Sequence, residues 1–183
     1  IRRAFREAPP PAWLPADGVV LGRNDPGPMA GYGSRVVNLK RLRSLKMQRQ
    51  KLETSNITSE NAGLAHVIAI QNRINQAERK LVRKNLDKVE LKSKFPTHGF
   101  GKQMELAARL IAGSSGVPVI KCSLGGFDTH SGQIYRHPKL MSKLAEAVFA
   151  FTQAMKAAGL WDNILVITYS EFGRRPRENA SGG

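Results

Sequence analysis

The chain has 183 residues, 41 % of them apolar, enough for a hydrophobic core of one domain or a large part of one. No stretch approaches the roughly 20 apolar residues that span a bilayer, and the single Cys122 excludes an internal disulfide or a cysteine-built zinc site. Charge is the unusual quantity: 29 Lys+Arg against 14 Asp+Glu give +15, and residues 35–94 hold 15 of the bases against 5 of the acids, so the excess is regional.

Residues 1–38 read as a loop-rich lead-in, broken by Pro9-Pro10-Pro11, Asp17-Gly18, Asp25-Pro26-Gly27-Pro28 and Gly31-Tyr32-Gly33. Short strands fit Val19–Leu21 and Arg35–Leu39. No charged-then-apolar leader follows Ile1, so any targeting segment is expected outside this sequence. Residues 39–94 read as basic helices. Leu39, Leu42, Leu45 and Leu52 keep a partial helical spacing, and Leu64, Val67, Ile68, Ile74, Ala77, Leu81 and Val82 draw a longer stripe.

From residue 95 an α/β portion begins. Met104, Ala107, Ala108, Leu110 and Ile111 mark a helix that Gly113-Ser114-Ser115-Gly116 ends. Val117–Leu124 predicts a strand, Gly125–His130 a turn, and His137-Pro138 the start of a long helix. Its apolar stripe is Leu140, Leu144, Val148, Phe151 and Met155, and Gly159 stops it. Ile164–Tyr169 is an apolar run expected as a strand buried on both faces. Strand, helix, strand implies a right-handed crossover joining two parallel neighbours. The Asp128/His130 turn and the Glu171 turn should then share the carboxyl edge of one sheet, where α/β folds bind their ligands.

Asp128 and His130 are two apart, so in extended backbone both point the same way and can reach one ion. Glu171 would supply a third ligand, the pattern of a catalytic divalent-metal site with an open position. Arg174 and Arg175 could hold an anionic substrate through forked donors. Plainer readings stand beside these. Asp-Thr-His in a Gly-rich turn is also an ordinary Asx-turn, and Glu171 a carboxylate near a helix start. His66 and His98 have no partner at ligand spacing and read as structural, and His137 before Pro138 reads as a helix-entry residue. Ser170 lacks a Gly-x-Ser-x-Gly elbow, and Cys122 reads as a small buried hydrophobe. The basic helices could neutralise phosphates, but residues 39–94 hold no Trp or Tyr for base stacking. Nucleic-acid binding is therefore the weaker reading and a solvated charged surface the stronger.

Three motifs in order carry a resemblance: Phe100-Gly101-Lys102-Gln103 through Ala107-Ala108-Arg109-Leu110-Ile111; Ser123-Leu124-Gly125-Gly126-Phe127-Asp128-Thr129-His130; and Thr168-Tyr169-Ser170-Glu171-Phe172-Gly173-Arg174. Over residues 95–183 the chain resembles the bacterial domain of unknown function 1501 family, related to the alkaline-phosphatase and sulfatase-like superfamily. The resemblance implies a three-layer α/β/α sandwich around a mostly parallel sheet, incomplete in this chain, which would be one partial domain. By superfamily analogy Asp128 and His130 would bind one divalent metal, zinc being the natural candidate, and Glu171 a neighbouring one, with Arg174 contacting a small anionic ester. The resemblance implies an exported or periplasmic protein, often sent by the twin-arginine route.

An early Gly-Gly-x-Asp-type motif and a later Thr-Asp-His-Gly-type segment have no match here. This polypeptide is therefore expected to be an internal fragment of a metal-dependent phosphate- or sulfate-ester hydrolase, inactive and a poor metal binder alone. The alternatives are a non-catalytic exported scaffold or carbohydrate-binding module of the same fold, and nucleic-acid binding through the basic helices. Fold kinship by itself supplies no reaction.

Overall fold

The computed structural model describes residues 7–8, 11, 13–23, 25–30, 35–39, 64–65, 68, 72, 86–174, 177 and 179–182. Most of the basic 40–94 region lies outside these, and of its expected helices only positions 64, 65, 68 and 72 are described, all helical. The chain divides into two compact units, residues 1–90 with 106–123, and residues 91–105 with 124–183.

The first unit is built on a parallel sheet. Strand β1 (Gly18–Leu21) pairs with β2 (Val36–Leu39) on one side and β3 (Ile120–Lys121) on the other, in the order β2-β1-β3. Gly18 faces Val36 and Leu21 faces Leu39, while Val19 and Val20 face Ile120 and Lys121. The central strand has no polar residue and is buried along its whole length, as a parallel strand covered on both faces must be. On β2 only the alternate residues Val37 and Leu39 are buried, the two-residue period of a strand with one covered face.

A cluster of polar bonds fixes where β1 and β2 begin. The backbone N–H of Asp17 donates to the Arg35 carbonyl (3.0 Å) and that of Arg35 donates to Asp17 Oδ2 (2.8 Å). The Arg35 guanidinium donates from Nε and Nη2 to Asp17 Oδ1 (3.1 and 2.7 Å) and from Nη1 to the Leu14 carbonyl (2.9 Å). Beyond the strands' carboxyl ends, Lys121 Nζ donates to the Asp25 carbonyl (2.8 Å) and approaches Asp25 Oδ2 (3.3 Å). The Gly27 N–H on Oδ1, and then Lys121, hold the exposed Asp25 carboxyl below its ordinary pKa.

Helix α1 (Gly99–Ala112) starts five residues ahead of Met104, the first residue of its apolar stripe. The reason is a cap: His98 Nδ1 accepts the Gly101 N–H (3.1 Å), a histidine doing the work of an Asx or Ser N-cap. At the other end Ser114, at φ 51°, takes the left-handed position usually held by glycine. Ser115 N–H then bonds the Leu110 carbonyl and Ser114 N–H that of Ile111, closing a Schellman motif. In the first unit Arg109 Nη1 reaches the carbonyls of Leu86 (3.3 Å) and Val89 (2.6 Å), tying the helix to the 3-10 turn Leu86–Lys88.

In the second unit α2 (Gln133–Ala157) dominates. Three sequence expectations are corrected here and at the sheet. The long helix starts at Gln133, not at His137-Pro138, so Pro138 lies inside it. Proline there deprives the Ile134 carbonyl of a helical partner and crowds it with its ring, at a residue that is itself exposed. The strand expected over Val117–Leu124 shrinks to Ile120–Lys121, which pairs only with Val19 and Val20 of the four-residue β1. Ile164–Tyr169 is not a strand: it belongs to no sheet among the described residues, and Leu165 is 82 % and Ile167 74 % exposed. It therefore does not form the parallel neighbour of Val117–Leu124. An apolar run states what would gain from burial but not whether a sheet edge is there to receive it. The buried face of α2 is Ala147, Ala150, Phe151, Ala154 and Met155, and Gly159 (φ 68°) ends the helix with Leu160 N–H on the Met155 carbonyl.

Candidate functional site

The turn after Leu124 is made by Gly126, whose φ of 101° suits only glycine and whose absent Cβ would lie 3.3 Å from Leu140 Cδ2. Beyond it Thr129 N–H bonds the Phe127 carbonyl (2.9 Å), folding the chain tightly about Asp128. Thr129 is fully buried, and its hydroxyl donates to Gln133 Oε1 (3.0 Å) in the first turn of α2. With Thr129 turned inward, both its neighbours in sequence face water. The side chains of Asp128 and His130 are 61 % and 83 % exposed, and Asp128 Oδ2 lies 3.0 Å from His130 Nε2. The i, i+2 spacing thus brings a carboxylate and an imidazole within hydrogen-bond distance.

The downstream segment reaches this turn. Arg174 Nη1 donates to the Phe127 carbonyl (3.2 Å) and Nη2 to the Thr129 carbonyl (2.7 Å), while Nη1 also lies 4.0 Å from Asp128 Oδ1. Asn179 Nδ2 donates to the His130 carbonyl (3.1 Å). Arg174 therefore meets the Asp128 turn, gripping its peptide backbone with two of its five donors. Glu171 is exposed, and among the described residues no three His, Cys, Asp or Glu side chains gather as ligands would. Asp128 and His130 are together; Glu171 does not join them. Since it is three residues from Arg174, the chain allows at most about 11 Å between their Cα atoms.

The other candidates divide plainly. Ser170 Oγ donates to the Phe172 carbonyl (2.6 Å) on the surface. His137 packs edge-on against Phe127, ring centroids 5.7 Å apart. Burial pushes the Cys122 thiol up to about 12, so it is not a nucleophile at neutral pH. His66 and Arg175 lie outside the described residues. Sequence reasoning passed over Thr129, Gln133 and Asn179. The last had a signal, since Asn-x-Ser-Gly is Asx-turn chemistry.

Fold and turn together define an α/β protein with a parallel sheet and an exposed carboxylate–imidazole pair on a braced loop. The chain belongs to the family described as protein of unknown function (DUF1501), which it matches over residues 31–183. Comparison with curated proteins gives no match, nor does comparison with solved structures.

Proposed function

We propose that this chain is part of a metal-dependent hydrolase of phosphate or sulfate esters in which Asp128 and His130 hold a divalent cation. The observation that carries the reading is their pairing at 3.0 Å on the water-facing side of a turn whose middle residue, Thr129, is buried. An oxygen and a nitrogen donor this close together suit zinc or a similar ion held between them. Two donors fall short of the three that catalytic zinc sites use, and Glu171 is the residue we assign to close on the pair. The cation would supply Lewis acidity toward a phosphoryl or sulfuryl oxygen. Arg174 retains three N–H donors beyond those on the Phe127 and Thr129 carbonyls, and these suit an ester anion beside Asp128. The family resemblance in the three motifs is what favours export and this ester class.

A non-catalytic protein of the same fold is the second reading, favoured by the absence of a third grouped ligand among the described residues. Glu171→Gln in the full-length protein separates the two. The hydrolase reading expects bound zinc and ester turnover to fall together; unchanged metal content would remove Glu171 from the site.

A further inference from the structure

We infer that Asn179 is a positioning residue for the Asp128–His130 pair, an inference that rests on the functional reading above. The direction of a Cα–Cβ bond is set by the two peptide planes flanking its Cα, because each plane is rigid and only φ and ψ turn between them. For His130 both planes are held from downstream. Arg174 Nη2 fixes the 129–130 plane through the Thr129 carbonyl (2.7 Å), and Asn179 Nδ2 fixes the 130–131 plane through the His130 carbonyl (3.1 Å). The 127–128 plane ahead of Asp128 is held by Arg174 Nη1 and by Thr129 N–H, both on the Phe127 carbonyl. The imidazole itself is 83 % exposed, so little besides this backbone grip and Asp128 orients it.

Asn179 is itself braced. Its Oδ1 accepts the Ser181 N–H (2.9 Å) and its carbonyl the Gly182 N–H (3.0 Å). The turn so formed offers the carbonyls of Ser181 and Gly182 to the N–H groups of Gly132 (3.3 Å) and Gln133 (2.8 Å), at the start of α2. These are helix-terminal donors with no partner inside the helix. One arm of the Asn179 amide therefore builds the turn that caps α2, and the other holds the histidine's peptide plane.

The two arms can be separated. Asn179→Ser and Asn179→Asp each keep an oxygen to accept the Ser181 N–H, and both lack the amide donor. One is neutral and the other adds a negative charge that would by itself strengthen cation binding, so weakening shared by both reports the lost donor. In the metal-free full-length protein, the His130 ring ¹⁵N and ¹³C resonances should move in both variants. The Gly132 and Gln133 amides should keep their protection from hydrogen exchange. Zinc affinity, read by competition titration, should fall about tenfold, the lower end for outer-shell partners of a metal ligand. Unmoved His130 resonances would overturn the inference whether or not zinc binds. So would loss of Gly132 and Gln133 protection in both variants, which would make Asn179 merely a part of the helix cap. Wild-type protein that binds no zinc while His130 still responds would sink the hydrolase reading and leave the positioning intact.

Discussion

Replacing Asp17 by alanine probes the contact that brings β1 and β2 into parallel register. The carboxylate accepts three hydrogen bonds from Arg35, two from the guanidinium and one from the backbone N–H, and its side chain is only 10 % exposed. Asp17→Ala takes all three of these bonds from an Arg35 whose side chain is 23 % exposed. Breaking a buried pair from one side costs about 3–5 kcal/mol. Because Arg35 can recover some water and still has the Leu14 carbonyl, the lower end, about 3 kcal/mol, is expected here. Asp17→Asn keeps an acceptor for the Arg35 N–H and should cost about 1.5–2 kcal/mol, the worth of a charge-assisted bond. Adding Arg35→Met to Asp17→Ala should recover part of the loss, since the desolvated charge goes with it. The assay is urea unfolding followed by circular dichroism, at 0.05 and 0.5 M NaCl, with little salt effect on the differences. A loss below about 1 kcal/mol for Asp17→Ala would show a surface-like pair and refute the reasoning.

Two further outcomes follow from burial. Leu21 is fully buried and Leu165 is 82 % exposed, so Leu21→Ala should cost about 2–5 kcal/mol and Leu165→Ala no more than about 0.5 kcal/mol; thermal midpoints decide it, and a large cost at Leu165 would mean that the 164–169 run is buried after all. The Cys122 thiol is raised from an ordinary 9.0 to about 12 by desolvation. The folded state then holds this proton more tightly than the unfolded state. The resulting stability is complete below about pH 9 and drains away as pH rises toward 12. Cys122→Ala should flatten that alkaline loss, and iodoacetamide at pH 8 should label native Cys122 far more slowly than unfolded chain; equal rates would contradict the assignment.

What could be seen in the sequence was whatever local pattern decides alone. Gly18–Leu21 and Val36–Leu39 are short β-prone runs between turn residues, and both form strands. The alternation Asp128-Thr129-His130 does put the acid and the base on one side, because Thr129 is drawn inward to Gln133. What could not be seen depends on partners distant in the chain. β3 pairs with only two of the four residues of β1, and Ile164–Tyr169 has a strand's composition without a place in the described sheet. The start of α2 was hidden by a permissible Pro138 and by a cap supplied from Ser181 and Gly182, some fifty residues downstream. The turn and its downstream arginine meet, but through guanidinium bonds to two peptide carbonyls rather than through neighbouring strand ends.

The central claim is that Asp128 and His130 are cation ligands, and zinc binding by the full-length protein tests it most directly. Equilibrium dialysis followed by metal analysis should find about one zinc per chain, the stoichiometry of a single catalytic site, with near-total loss in both Asp128→Asn and His130→Gln at unchanged thermal stability. Wild-type protein that takes up no zinc, or variants that retain it in full, would contradict the account.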